Sequence, residues 1–316
     1  MSASAERERG AYVPLALLAT AVVIFGTGYW PTAVAAAHAP SLMVTMLRVV
    51  SSAVFLLALA LALRTRLPRG HMLGWSVLTG LLIATVFQWG LTEAIERAGP
   101  GNGAVLINTN PLMVLVLAWI FLRERLPSLG VFGLLAGFGG VVLMVSSQLG
   151  GEVETHQLLL GSFLALVAAL SYAVGVVILR SLSQREGEMD MLGIVTVQFL
   201  VGSAVLLPIA LAVEGTAGTD WSSGSFWAAT TWTGPGAAVA ALLFYLALKR
   251  LPAAKTSSAL FLVPAVAIVV EVVRGNTPDA LALTGMLVTV LGVALAALPP
   301  EWAAALGRLS RRRTAG

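Results

Sequence analysis

One stretch of this chain occurs twice, and each copy encodes a pair of apolar helices. The first copy reads ERAGPGNGAVLINTNPLMVLVLAWIFLRERLPSLGVFGLLAGFGGVVL from Glu96; the second reads KRLPAAKTSSALFLVPAVAIVVEVVRGNTPDALALTGMLVTVLGVAL from Lys249. Sliding one onto the other superposes Arg97 on Arg250 and Pro111 on Pro264, then, after a one-residue contraction in the turn, Gly133 on Gly285 and Gly140 on Gly292. Each copy is a charged step, an apolar helix carrying one proline, a short polar turn and a glycine-rich apolar helix. Self-similarity at so long a period in so apolar a chain marks a membrane transporter assembled from repeats.

Only 11% of the residues are charged and 58% are hydrophobic, whereas soluble domains carry about 25% charged residues. The unit of construction is therefore the membrane-spanning helix of roughly 20 apolar residues. Spans are expected at Ala11–Val34, Ser41–Leu63, Met72–Ala94, Gly101–Leu122, Ser128–Ser147, Gln157–Leu179, Met191–Val213, Phe226–Leu248, Ala253–Val273 and Ala280–Leu298. The fold class this predicts is an all-α integral membrane protein of ten transmembrane helices, arranged as two inverted five-helix repeats. Residues 1–150 form the first repeat, 151–300 the second, and 301–316 a basic cytoplasmic tail, with the loop Gln148–His156 between the halves. Met1–Gly10 is expected to be a short disordered tail. The small-residue triplets at Ala33 and Ala37 resemble signal cleavage sites, but the apolar run before them exceeds a signal h-region of about 7–15 residues, so the first helix is retained.

Of the 19 Lys and Arg residues, all but Arg48, Arg97 and Arg274 fall on the side of the N-terminus. Arg97 and Arg274 fall on the other side and Arg48 inside a span. This bias places both termini in the cytoplasm. A miscount by one span would dissolve it, so it supports the number ten as well. Five helices per half is odd, which turns the second half upside down relative to the first. That inverted arrangement gives alternating access by rocking about a central site. The Arg308–Thr314 tail is read as a topology signal in preference to a lipid-binding patch.

The Leu-Arg48 step in the second helix, Asn110-Pro111 in the fourth and the Leu122-Arg-Glu-Arg-Leu126 turn are followed by Gly133 and Gly140-Val141. With Phe244-Tyr-Leu-Ala-Leu248 running into Leu262-Val-Pro264, this order of motifs resembles the EamA branch of the drug/metabolite transporter (DMT) superfamily over nearly the whole chain. The resemblance implies a ten-helix inverted-repeat fold in the bacterial inner membrane and export of small metabolites. Among its members, exporters of amino acids, aromatic ones included, are the nearest suggestion. The chain departs from the family pattern at Phe25-Gly26-Thr27, where Trp-Gly is frequent. It departs again at Arg274-Gly-Asn-Thr277, where Gly-Glu is common, which weakens any expectation that an acidic turn residue is required in both halves.

Arg48 is the sharpest single feature. A charge inside a span costs roughly 2.5–3.5 kcal/mol, and a residue so costly should face a cavity. Two readings stand: a clamp for a substrate carboxylate, or a gate partnered by carbonyls, Glu93 or Glu271. The acidic residues inform by their placement. Asp190, Asp220 and Asp279, like His38, His71 and His156, sit in connections, and only Glu93 and Glu271 touch spans. No acidic or histidine relay deep in the bundle is visible, so movement down a metabolite gradient is expected rather than tight proton or sodium coupling. Glu271 and Arg274, three residues apart, should pair at a helix end.

The remaining candidates for a substrate site are polar or aromatic. Asn108, Asn110, Gln88 and Gln198 carry amides that one helix cannot satisfy, so a facing helix, water or substrate is needed. Hydroxyls such as Thr45, Ser51, Thr92, Ser171 and Thr196 more often bond their own backbone. Arg48 and Gln198 occupy matching places in the two halves, as a pseudo-symmetric site would require. Tyr29, Trp30, Trp89, Tyr172 and Tyr245 are the aromatics selected as a pocket lining, although Trp and Tyr also collect at membrane interfaces. Helices five and ten carry glycines instead, with Gly133-x-x-x-Gly137 expected to allow close contact within the chain in preference to a dimer. Pro111, Pro264 and Gly234-Pro-Gly236 are expected to break their helices as hinges or unwound binding segments.

These residues carry no HExxH, no intramembrane Asp pair and no cysteine, which disfavours an enzyme, a metal site or a cofactor. A channel would leave the repeat and the buried amides unexplained. The sequence therefore predicts a carrier, monomeric or homodimeric, of amino acids or similar small metabolites. The alternative substrate is another small metabolite or a drug-like cation. Its partners are that substrate and the lipid bilayer, and no nucleic acid.

Overall fold

The computed structural model describes residues 3–146, 154–186, 189–275 and 277–297. The basic tail 301–316, the boundary between the halves at 150–151 and the turn residue Asn276 lie outside them. The described chain is all helical, 84% helix with no strand. Among the described residues, nine helices are long and apolar enough to cross a membrane: α1 Tyr12–Ala36, α2 Ser41–Ala62, α3 His71–Ala98, α4 Asn102–Leu122, α6 Thr155–Arg185, α7 Met191–Val213, α8 Gly224–Leu248, α9 Ala253–Val273 and α10 Ala280–Ala297. A shorter apolar helix, α5 Ser128–Met144, lies between α4 and α6. These are the ten expected elements. Ala3–Gly10 is helical, so the disorder expected of Met1–Gly10 does not hold over those residues, while Met1 and Ser2 lie outside the described ones. The Ala-Glu-Arg composition there favours helix intrinsically and simply extends α1 beyond the apolar run.

Sequence sets the helix ends locally. Pro40, Pro127 and Pro252 occupy the N-cap positions of α2, α5 and α9 in extended conformation, as residues outside a helix do. Asp190 and Ser223 cap α7 and α8 by accepting from Gly193 and Phe226 N–H. The start of α2 is capped from a distance. The Glu214 carboxylate, at the end of α7, accepts from Leu42 and Met43 N–H at 3.1 and 2.6 Å. A negative charge at a helix N-terminus satisfies free amides and opposes the helix dipole favourably.

Packing follows the small residues. The glycine faces of α5 and α10 lie against each other. A Cβ built on Gly133 would sit 2.5 Å from Gly292 O, and one on Gly285 would sit 2.5 Å from Gly140 O. The expected close contact is thus intramolecular, and backbone rather than side chain forms its surface. Elsewhere α3 packs on α6 as α8 packs on α1, and α2 packs on α8 as α7 packs on α3. Connections alternate between two faces of the bundle. The α2–α3, α4–α5, α6–α7 and α8–α9 turns share the lysine- and arginine-rich face, called the basic face below; the others share the opposite face.

Four helices are irregular at mid-depth. In α1 the helix is interrupted at Gly28; α3 contains a π-helical stretch over Gly80–Val86; α4 is interrupted at Asn108–Thr109; and α9 has a 3₁₀ turn over Ala259–Phe261. The irregularities in α4 and α9 precede Pro111 and Pro264, as the sequence led one to expect. Gly234-Pro-Gly236 does not break α8, which is continuous from Gly224 to Leu248. Neighbours satisfy backbone groups that proline and glycine expose in a membrane helix. Here Ser52 Oγ of α2 donates to Gly234 O at 2.7 Å. A Cβ at position 234 would fall 2.8 Å from Ser51 Cβ and 3.1 Å from Arg48 O. Gly234→Ala should therefore lower the apparent Tm by several degrees in detergent. Gly236→Ala, whose Cβ would meet only Ile24 Cγ2 at 3.6 Å, should leave it within a degree or two.

Candidate functional site

The close α2–α8 contact at Gly234 sets the depth of Arg48. Its carbonyl accepts from Ser51 and Ser52, so the helix is pinned there and the side chain projects toward α3. Arg48 Nη2 donates to Gln88 Oε1 at 3.2 Å. Its Nε is buried with no hydrogen-bond partner, and none of the ion pairs among the described residues uses it. Tyr29 of α1 lies close enough to interact electrostatically with the guanidinium. One turn from this level, toward the opposite face, Thr45 and Thr92 share a 2.6 Å hydrogen bond between α2 and α3. That pair clamps the two helices that carry Arg48 and Gln88; Thr92 Oγ1 also bonds Gln88 O of its own helix at 3.1 Å, as expected of a hydroxyl in a span, and the cross-helix partner is the part the sequence did not show.

The carboxylates considered as Arg48 partners are engaged elsewhere. Glu93 accepts from Arg97 Nε at 2.7 Å and from Trp89 Nε1 at 3.2 Å, and Glu271 pairs with Arg274. The expected Glu271–Arg274 pair is thus present. Trp30, at the opposite-face end of α1, lies under the Arg274 guanidinium, whose Cζ is 4.7 Å from the ring centroid. Tyr29, Trp30 and Trp89 are exposed, and Gln88 and Arg48 half-buried. The ring of aromatic and charged groups around Arg48 therefore lies toward the opposite face.

Toward the basic face the bundle is filled. Phe87, one residue along α3 from Gln88, packs against Tyr172 with ring centroids 4.8 Å apart. Tyr172 contacts Phe244, which contacts Tyr245. These four rings join α3, α6 and α8 into an aromatic floor, with Tyr172, Phe244 and Tyr245 all buried.

The other predicted amides do not converge on Arg48. Gln198 is buried on the α7–α3 contact, donating to Thr79 Oγ1 at 2.8 Å while its Oε1 is unpartnered. Thr79 precedes Gln88 by about 13 Å of helix rise, so Gln198 sits at a different depth. Asn108 Nδ2 donates to Ala104 O in its own helix at 2.8 Å, at the α4 interruption. Asn110 is buried with Oδ1 unpartnered. The structure thus brings together Arg48, Gln88 and Tyr29, sets Trp30 and Trp89 at the rim above and Tyr172 and Tyr245 in the floor below, and leaves Gln198 at another depth, while Asn108 and Asn110 make no hydrogen bond to this group.

Two cross-helix contacts carried no sequence signal. Ser171 Oγ donates to Leu82 O at 2.7 Å, a carbonyl within the π-helical stretch, where i→i+5 pairing displaces the normal acceptors. Ser52 to Gly234 is the second. An open hollow at residues 36–40 and 217–220 holds none of the predicted residues.

A family model described as the EamA-like transporter family matches this sequence twice, over residues 13–146 and 159–298. The chain is 27% identical over 287 residues to the uncharacterized transporter YvbV of Bacillus subtilis, covering 88% of this chain and 90% of that one. It is 30% identical to an uncharacterized transporter of Synechocystis, covering 70% and 72%. Against a chloroplastic WAT1-related protein of Arabidopsis thaliana the identity is 28%, over 81% of this chain and 62% of the relative. A crystal structure of a 21% identical protein superposes with a TM-score of 0.77, covering 90% of this chain and 98% of its own.

Proposed function

We propose that this chain, which belongs to the EamA-like transporter family, is a secondary carrier that exports small carboxylate-bearing metabolites, amino acids among them, by alternating access. The observation that carries this reading is Arg48. A half-buried arginine whose Nε is buried and unpartnered, with a neutral amide bonded to its Nη2, is short of one anion. Its planar fork suits a carboxylate, which accepts two parallel N–H bonds. Gln88 holds Nη2 so that the remaining donors stay directed at the ligand. Phe87, Tyr172, Phe244 and Tyr245 supply an apolar floor for the rest of the molecule. The same positive charge disfavours the drug-like cation, which would meet repulsion at low dielectric. The aromatic floor disfavours an open channel.

An inverted repeat is supported by the double family match and by the reciprocity of the contacts. Gly133 meets Gly292 and Gly140 meets Gly285, and these are one contact written twice if the halves are related by a two-fold axis in the membrane plane. The skew of Lys and Arg toward one face argues that this face is cytoplasmic. The bacterial relatives argue for the inner membrane. Reconstitution into liposomes with a panel of labelled amino acids and other carboxylates tests the reading. Saturable counterflow of at least one carboxylate is expected. Flux that never saturates would replace the carrier with a pore, and saturable uptake of organic cations alone would replace the substrate class.

A further inference from the structure

The basic face carries a polar network built around Glu124, whereas among the described residues the opposite end is joined by different contacts, Glu214 to the α2 amides and Arg97 to Gln157 of α6. Glu124 lies in the α4–α5 turn, where Arg123 takes the left-handed conformation with φ 56° and reverses the chain so that the carboxylate points back across the mouth. Oε1 accepts from Arg180 Nε at 2.7 Å and from Gln184 Nε2 at 3.0 Å, both on α6. Oε2 accepts from Ala253 N–H, at the start of α9, at 2.7 Å. Arg180 Nη1 in turn donates to Leu248 O and Lys249 O at the end of α8, at 3.0 and 2.9 Å. Lys249 Nζ reaches Met189 O in the α6–α7 connection at 2.8 Å. Four connections or helix ends are thereby tied across the axis of the bundle. The pair is largely withdrawn from solvent, with side-chain exposures of 12% and 13%, unlike the Glu271–Arg274 pair at 41% each.

The network is polarised by the helix ends it joins. The anion sits on the free amides of α9 and the cation on the free carbonyls of α8, each opposing the dipole of its helix. The repeat shows why this cannot form at the other end. Sliding the first copy onto the second superposes Ala253 on Pro100, which has no N–H to donate, and the turn equivalent to that of Glu124 is Arg274-Gly-Asn-Thr277, without a carboxylate. Donor and acceptor are both missing.

We infer that Glu124 is the keystone of a one-sided lock, which holds the basic-face mouth shut and biases the carrier toward the conformation open to the opposite face; this rests on the alternating-access reading above. Breaking the lock admits solvent from the basic face, and transport requires that it break and re-form in every cycle.

The chain has no cysteine, so one introduced thiol reports alone. Ser257, in the first turns of α9 beneath the lock, is fully buried with Oγ unpartnered. In Ser257→Cys, a membrane-impermeant thiol reagent applied to the basic face is expected to react slowly. Adding Glu124→Gln should speed labelling tenfold or more, and Gln184→Leu, which removes one exposed arm of the network, by two- to threefold. The exchanged pair Glu124→Arg with Arg180→Glu should label as fast as Glu124→Gln, because arginine cannot accept from Ala253 N–H nor glutamate donate to Leu248 O. Thr277→Glu, at the other end, should change nothing. Unchanged slow labelling in both Glu124→Gln and Gln184→Leu, with melting temperatures near the parent, would overturn the lock. Restored slow labelling in the exchanged pair would reduce it to a simple ion pair. Labelling needs no substrate, so a wrong substrate class would leave this result intact.

Discussion

Arg48→Met is expected to raise the KM for a carboxylate substrate about 30-fold or more, while the melting temperature of the protein in detergent stays the same or rises. The two effects have one cause. Arg48 is held inside the bundle without a counter-ion, at a cost of roughly 2.5–3.5 kcal/mol on insertion scales, and Met restores most of the volume without the charge. A neutral side chain of similar size in place of a buried charge is often neutral or stabilising. Losing the partner of a desolvated carboxylate, by contrast, costs about 2–5 kcal/mol of binding. Arg48→Lys should recover only part of the loss, since an ammonium cannot make two parallel bonds and lies beyond easy reach of Gln88. Gln88→Leu should raise KM less than Arg48→Met, because it frees Nη2 without removing the charge. A structural role for Arg48 would show the reverse pattern: a fall in melting temperature with substrate affinity unchanged among the molecules that fold.

The second large effect is expected at the α5–α10 seam. Replacing Gly133 or Gly140 by Val should abolish recovery of folded, monodisperse protein, and Gly133→Ala should lower the apparent Tm by many degrees. A Cβ on Gly133 meets Gly292 O at 2.5 Å and Ala296 N at 2.7 Å, and one on Gly140 meets Gly285 O at 2.6 Å and falls against Thr289. These are backbone atoms of a facing helix, which cannot swing aside as a side chain would, so the strain exceeds the about 1–3 kcal/mol of ordinary overpacking. Gly139, on the same helix with nothing within 4 Å of its Cβ position, is the internal control: Gly139→Ala should be recovered as the parent is. Comparable yields and melting temperatures for Gly133→Ala and Gly139→Ala would show that the close approach is not needed for folding.

Much of this architecture is legible because the bilayer imposes a simple length rule. Apolar runs of about 20 residues can do little but span, and the positions of all ten helices follow from them. The glycine spacing in α5 and α10 likewise reads directly as a close contact, since small residues at that interval have few other uses in a membrane. Arg48 stands out for the same reason: a charge in an apolar run must be explained.

What the sequence conceals is which side chains meet. Gln88 is 40 residues from Arg48, and no local pattern pairs them. Gln198 occupies the place in α7 that Arg48 occupies in α2, yet α2 starts at the opposite face and α7 at the basic face. Equal counting from the two starts therefore leads to different depths, and Gln198 finds Thr79 instead. Asn108 was expected to need a facing helix, water or substrate for its amide, and one of its N–H groups bonds Ala104 O in its own helix. Ser52 and Ser171 reach the backbone of neighbouring helices because Gly234 lets α2 approach and the π-helical stretch presents Leu82 O. Both causes are properties of the assembled bundle, and hydroxyls in a span give no sign of them in advance.

Counterflow of one carboxylate and its amide, measured side by side in liposomes with wild type and Arg48→Met, reaches the centre of the account. Wild type is expected to prefer the carboxylate strongly, and Arg48→Met to carry the two at nearly equal, low rates. An undiminished preference for the carboxylate in Arg48→Met would place the anion site elsewhere and contradict it.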